Sequence, residues 1–478
     1  MFRVSPILKR TIQTKSYGQP LPQTHPHLFT SHLELTPGIP ASEYKSRRDR
    51  LAAKLSEGDL AIIAGSAVQW RSSSVFYPFY QNSDFSYISG FLEPDALIVL
   101  ERSDSYDRGY KYHLYAREKD PHEETWQGSR SGNRACIKIF GSDTSTNIAT
   151  MSSSLNELIT RAGNIYVDLP TRSSPKDFLS PKVLRVRMSN LQEAIDQLLS
   201  HKYVLPLSSI LHPMRAFKSL AEIECMRKAG EASSQSFDCV MSQSFKLESA
   251  LWACFEHEIR RNGCHSDGYV PVVAGGENAL ILHYVENNNV LRNGDLVLLD
   301  GGGSSNTEVI PPVCQPRYGT NFPKKDITRT WPVNGKFSCA QKALVSAVLE
   351  VEKKCIKLCT RSAGLSLDDI HDKSKEFLAA KLKEIGFGFE NYSLTDIYPH
   401  HIGHFVGLDV HDCAKFPRHQ HLETSQVVTI EPGVYVPNDD RFPKHFRGMG
   451  IRIEDCVLVG EYSPTLLTNV IFIIVPAC

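Results

Sequence analysis

The chain has 478 residues, enough for two or three domains with more than one core. Its 53 Lys and Arg balance 53 Asp and Glu, and 41% of residues are hydrophobic, so the composition is globular and carries no electrostatic signature of a nucleic-acid partner. No apolar run approaches the roughly 20 residues of a membrane helix. The twelve cysteines contain no CxxC pair and read as free thiols in a reducing compartment, not as a zinc or disulfide framework.

The first segment carries Arg3, Lys9, Arg10 and Lys15 and no acid before Glu34. Val4, Leu8 and Ile12 recur at helical spacing, although Pro6 interrupts the pattern. A basic, acid-poor, amphipathic start predicts a mitochondrial presequence over 1–17, with an extended segment over 18–34. An ordinary disordered basic terminus is the alternative. From 35 to 205, short apolar runs (LAIIAG, DALIVL, YKYHLYA, IYVDL) alternate with helical patterns such as SRRDRLAAKL and LQEAIDQLLS. This predicts an α/β domain with a mixed sheet. In the second region, 206–478, Ser219 and Glu222 form a capping-box pattern that opens a long helix. Helices then interleave with the strand-like runs GDLVLLD, DITRTW, QVVTIEPGVYV and GIRIEDCVLV, an α+β pattern with acids at strand ends.

Asp300, Asp326, Glu431 and Glu454 each end or interrupt an apolar run. A buried carboxylate is costly unless it is paired or binds a metal. Any one of them alone reads as a turn acid or a salt bridge. Four together need cations, and the nearby arginines are few: Arg329, Arg447 and Arg452. YPHHIGHFVGLDVHD adds His400, His401, His404 and His411 in a glycine-interrupted loop, a pattern more typical of a site than of a core. HExxH and GxSxG are absent, and GGGSSN lacks the ending of a phosphate-binding loop. Carboxylates with imidazole suit a hard divalent ion: Mn²⁺, with Co²⁺ or Zn²⁺ as alternatives. Two ions would share bridging carboxylates.

VVAGGENALILHYVENN, LLDGGG, DITRTWPVNGKF, HHIGHFVGLDVHD, TIEPGVYV and GMGIRIED, taken in order, resemble the motifs of the aminopeptidase P branch of the pita-bread metallopeptidases. SDFSYISGFLEPDALIVL and REKDPHEETWQGSRSG resemble that family's creatinase-like N-terminal domain, and GQPLPQTHPHLF resembles the start of its mitochondrial group, Xaa-Pro aminopeptidase 3 and the intermediate-cleaving peptidase. The resemblance implies a pita-bread catalytic domain over 206–478. It implies two metal ions on Asp300, Asp326, His404, Glu431 and Glu454, with Asp326 and Glu454 bridging. It further implies that His283 and His411 hold the substrate carbonyl, that His400 lines the pocket, that Tyr269 contacts substrate, and that Arg452 orients the metal carboxylates. The implied reaction is metal-assisted hydrolysis, with Glu431 passing a proton to the leaving amine. The implied substrates are peptide or protein N-termini inside mitochondria, in the matrix or against the inner membrane, and the implied assembly is a homo-oligomer.

Two stretches depart from the family pattern. Asp300 and Asp326 are 26 positions apart, with a proline-rich insert over 304–324 where the family has a short connection. A protruding loop and a misplaced exon boundary give the same sequence. Lys325 stands where the family has a small hydroxyl residue, which puts a cation beside a metal carboxylate. The apolar run over 470–475 replaces a polar end and is expected to have no catalytic role. Two competing readings remain: a non-catalytic binding protein on the same fold, which would take up no metal, and a prolidase, which would refuse longer peptides.

Overall fold

The structure is a computed structural model that describes residues 17–168, 195, 197–199, 202–305 and 324–468. The expected presequence through residue 16, most of the helix expected over 191–200, the interior of the insert and the apolar run over 470–475 lie outside the described residues.

The apolar runs of the first half become strands buried on both faces, which is why they show no polar alternation. β1 (Leu60–Ala64), β2 (Leu97–Arg102), β3 (Tyr110–Ala116), β4 (Thr144–Asn147), β5 (Ile165–Val167) and β6 (Val204–Leu205) form one sheet in the order β4-β3-β2-β1-β5-β6. The pairs β1–β2 and β2–β3 are antiparallel and the outer pairs are parallel, so the sheet is mixed as expected. Side chains alternate in direction along a strand. Ala61, Ile63, Ile98, Leu100 and Leu114 therefore pack with α1 (Ala41–Ala52) and α2 (Ser83–Ser89). Leu60, Ile62, Leu97, Val99 and Tyr115 pack with α3 (Met151–Arg161) on the opposite face.

In the second half, α4 (Ser208–Ala216) precedes α5 (Leu220–Met241) and α6 (Glu248–Arg261). The predicted capping box is present at the start of α5: Ser219 accepts from the Glu222 amide and Glu222 accepts from the Ser219 amide. Ser338 with Gln341 and Ser366 with Asp369 repeat the device at α7 (Cys339–Ile356) and α8 (Leu367–Glu384). Each box satisfies amides that an exposed helix start leaves unpaired.

β7 (Val272–Gly275), β8 (Leu296–Gly301) and β9 (Ile327–Pro332) form an antiparallel sheet. Val273, Val297, Leu299, Ile327 and Trp331 turn one of its faces onto Phe237 of α5 and Phe255 and Ile259 of α6. β10 (Val427–Ile430) pairs with β13 (Asp455–Leu458), and β11 (Gly433–Val436) pairs with β12 (Met449–Arg452). Those strands share a second core with Leu344, Val348 and Val351 of α7 and Leu378 and Leu382 of α8. Each half is thus a helix pair laid over antiparallel strands, and the acids fall between the halves.

Candidate metal centre

Strand register brings the two aspartates together. Asp300 is paired with Thr328 across β8–β9. Asp326 lies two residues before Thr328, so period-2 alternation puts it on the same face, away from α5 and α6. The separation of 26 positions does not matter to this geometry, because a longer connection costs only logarithmically more closure entropy. Glu454 reaches the same face through an isolated bridge: its amide donates to the Thr328 carbonyl at 3.1 Å. His404 and Glu431 arrive from paired chains. The Thr429 amide donates to the His404 carbonyl at 2.9 Å, and the Glu431 amide donates to the Ile402 carbonyl at 2.7 Å.

Asp326, His404 and Glu454 each offer a ligand atom, all within 4.8 Å of one another. His404 Nε2 lies 3.4 Å from both Asp326 Oδ2 and Glu431 Oε1. His404 Nδ1 donates to the Phe405 carbonyl at 3.1 Å, which fixes the ring with Nε2 toward the acids. The Tyr269 hydroxyl sits between Asp300 Oδ1 and Asp326 Oδ1, in hydrogen-bond contact with both. Arg452 donates to Asp300 Oδ2, to the Thr328 hydroxyl at 3.2 Å and to the Tyr435 hydroxyl at 2.9 Å. The His400 ring shares a 3.0 Å hydrogen bond with Tyr435.

The electrostatics are those of acids crowded out of water. Burial and the neighbouring carboxylates push Glu454 well above the usual carboxylate range. Burial lifts Glu431 to about 7, although His404 pulls the other way. Burial alone would lower His404, but Asp326 and Glu431 raise it to about 9. Burial lowers His400 to about 4, leaving it neutral. His411 packs edge-on against His404, with ring centroids 4.5 Å apart. Its pKa falls through burial first and then through the charge of His404, with His283 also within electrostatic reach. His283 itself is exposed.

Other expected neighbours go elsewhere. His401 turns to Asp368 at 3.1 Å and stacks on His371. Of the three candidate cations, Arg452 faces the cluster. Arg329 lies behind it, on Asp455 at 2.9 Å and the Glu454 carbonyl at 2.7 Å. Arg447 pairs with exposed Asp440 instead. Lys325 is fully buried, but alternation sends it to the α5 side, where its Cε lies 3.5 Å from where a Cβ on Gly230 would be. Its charge is therefore not aimed at the acids. Sequence reading missed Thr328 and Tyr435, although Thr328 sits inside DITRT at the same-face position after Asp326.

Whether these residues suit a divalent ion is decided by Glu454. Its Oε2 accepts from Thr328 at 2.6 Å, but its Oε1 is buried and has no hydrogen-bond partner among the described residues. An orphaned, buried carboxylate oxygen on a residue clustered with an imidazole and another carboxylate is costly in a bare protein and natural in a metal ligand set. The oxygen-rich donors with one imidazole fit a hard or borderline divalent cation.

Helix pairs over antiparallel strands, with a buried acid–imidazole cluster between them, define a metallopeptidase of the pita-bread class. The family model "Metallopeptidase family M24" matches residues 224–310 and 324–461, and "Aminopeptidase P, N-terminal domain" matches 44–166. Intermediate cleaving peptidase 55 of Saccharomyces cerevisiae is 39% identical over 454 residues, spanning 94% of this chain and 86% of the relative. Xaa-Pro aminopeptidase 3 of Homo sapiens is 34% identical over 490 residues, spanning 98% and 90%. The crystal structure of the yeast peptidase, Icp55, superposes with a TM-score of 0.80 at 37% identity, covering 91% of this chain and 95% of that one. The chain belongs to metallopeptidase family M24, in its aminopeptidase P branch, and is a metalloaminopeptidase. The M24 match passes over residues 311–323, within the insert.

Proposed function

We propose that Asp300, Asp326, His404, Glu431 and Glu454 hold two divalent ions, Mn²⁺ in the cell, with Asp326 and Glu454 shared between them. The observation that carries this reading is the partnerless Oε1 of Glu454 beside Asp326 and His404. Such ions, when bound, supply Lewis acidity and lower the pKa of water toward neutrality. The chain's own residues do the rest. His283 and His411 hold the substrate carbonyl and stabilise its developing charge, neutral His400 lines the pocket, and Tyr269 contacts the substrate beside the aspartates. Glu431 takes a proton from the attacking water and returns it to the leaving amine. Arg452 fixes Asp300 through its fork of donors.

The substrate is the free N-terminus of a peptide or protein, from which a single residue is removed. The yeast relative is called an intermediate cleaving peptidase, the human one an Xaa-Pro aminopeptidase, and a 33% identical Arabidopsis thaliana relative is called mitochondrial. Those names support a processing peptidase of mitochondria, in the matrix or at the inner membrane, that trims imported proteins, with Xaa-Pro peptides as the neighbouring substrate class. A homo-oligomer is part of the same proposal.

The test is to express the chain without residues 1–17, load it with Mn²⁺, and offer peptides with bulky N-termini and with Xaa-Pro starts. Release of one residue from either class is expected. No release from both, or no Mn²⁺ uptake, would leave the non-catalytic reading standing.

A further inference from the structure

Glu248 opens α6 and is fully buried, and it makes no ion pair among the described residues. A buried carboxylate held only by dipoles is expensive unless its acceptor positions are filled. Here they are filled by one loop. Oε1 accepts from the Gly275 amide at 2.8 Å and from Asn278 Nδ2 at 2.9 Å. Oε2 accepts from the Tyr284 hydroxyl at 2.9 Å and from the Asn289 amide at 2.8 Å. The Glu248 amide in turn donates to the Asn289 carbonyl at 3.0 Å.

These partners bracket His283 on both sides, and Tyr284 is its immediate neighbour. The return limb is pinned separately. Asn287, with φ of +46°, accepts from the Val273 amide at 2.9 Å and donates to the Pro271 carbonyl at 2.8 Å. An exposed histidine thus stands on a loop whose base is fixed from inside. A glutamine at 248 would present an amide NH₂ to two donors, so the pattern demands a carboxylate and not merely a polar residue of that size.

We propose that Glu248 is the positioning residue of His283, acting through Tyr284 and the 275–289 loop to hold the imidazole against the substrate carbonyl. The inference rests on the substrate-contacting role given to His283 above. A displacement of about 1 Å at such a group costs up to roughly 100-fold in rate.

The test uses the Mn²⁺-loaded chain without residues 1–17 and a peptide it cleaves. Glu248→Gln, Tyr284→Phe and His283→Ala are made singly, and each of the first two is also combined with the third. Glu248→Gln is expected to lower kcat about 10- to 100-fold and Tyr284→Phe a few-fold, with bound Mn²⁺ and KM little changed. In the His283→Ala background neither is expected to lower kcat further. If His283→Ala loses rate but Glu248→Gln and Tyr284→Phe still cut it further, the positioning role is wrong while the reading of His283 stands. If His283→Ala keeps full rate, that reading falls and the positioning role falls with it. Should Glu248→Gln fail to fold, the Tyr284→Phe pair decides by the same comparison.

Discussion

The Thr328 hydroxyl donates to Glu454 Oε2 at 2.6 Å and receives the Arg452 Nε–H at 3.2 Å. One small side chain therefore ties a proposed bridging carboxylate to the arginine that fixes Asp300. Both contacts lie on the acid face of β9, two residues after Asp326.

Thr328→Val keeps the shape of this side chain and removes both hydrogen bonds. Partners of this kind typically set metal affinity by 10- to 100-fold, so Mn²⁺ is expected to bind about 10-fold more weakly, with folding intact. Calorimetric titration of the metal-free chain reads this directly. Unchanged affinity would mean that Glu454 needs no such anchor.

Lys325 makes the opposite prediction. Its ammonium is fully buried without a hydrogen-bond partner among the described residues, and burial lowers its pKa to about 8. Between about 8 and 10.5 the unfolded chain binds the proton more tightly than the folded one, so this residue destabilises most below about pH 8. Lys325→Met is expected to stabilise by about 1–3 kcal/mol at neutral pH, with the gain shrinking toward pH 10.5. Because the side chain faces α5, Mn²⁺ content and activity should stay as they are. Denaturant melts at two pH values check the first part.

Arg215 joins the two halves of the molecule. It donates to Asp84 of α2 at 2.7 Å, to Asp409 at 2.8 Å and to buried Asp412, beside His411, and Lys218 adds a 3.1 Å contact to Asp412. Burial alone would raise Asp412, but Arg215 and Lys218 bring it down to about 2. A depressed acid contributes stability above its unfolded value of 3.8, lost as pH falls through about 2. Arg215→Gln should cost about 3–5 kcal/mol at neutral pH and flatten the acid limb of the stability curve. Urea melts from neutral pH downward measure both effects.

Residues 311–323 fall outside the M24 match, and Asp300 on β8 and Asp326, just before β9, are brought together by the pairing of those strands regardless of what connects them. Deleting 311–323 is therefore expected to keep Mn²⁺ binding and peptide cleavage within about twofold, since loop length enters stability only logarithmically. Loss of bound metal on deletion would show that the insert takes part in the centre.

The parts legible in the sequence are those with local periods. LAIIA and LIVLE have no polar alternation because both faces of their sheet are covered. Ser219 and Glu222 announced the helix that begins at Leu220, and the acids of LVLLD and DITRTW could be placed on one face by counting in twos. What stayed hidden has no local period. Arg447 looks as available as Arg452 in a linear reading, yet it turns to Asp440. The Arg215–Asp84 contact spans 131 positions, and no short pattern encodes it. Glu248 is a lone glutamate at a helix start until its loop folds over it. The order of chain elements fixes which faces meet, but long-range polar partners are chosen only once those faces have met.

The tyrosine lodged between the two aspartates has a consequence for how the centre is filled. A phenol has one proton and cannot serve both Asp300 and Asp326 at once, so in the metal-free chain another proton must be shared among the crowded acids. Asp300, which touches the phenol and is raised by burial, is where it would reside. A divalent cation held there would displace that proton and free the phenol from its double contact. Loading would then be an ion-for-proton exchange, favoured by alkaline surroundings and opposed by acidic ones.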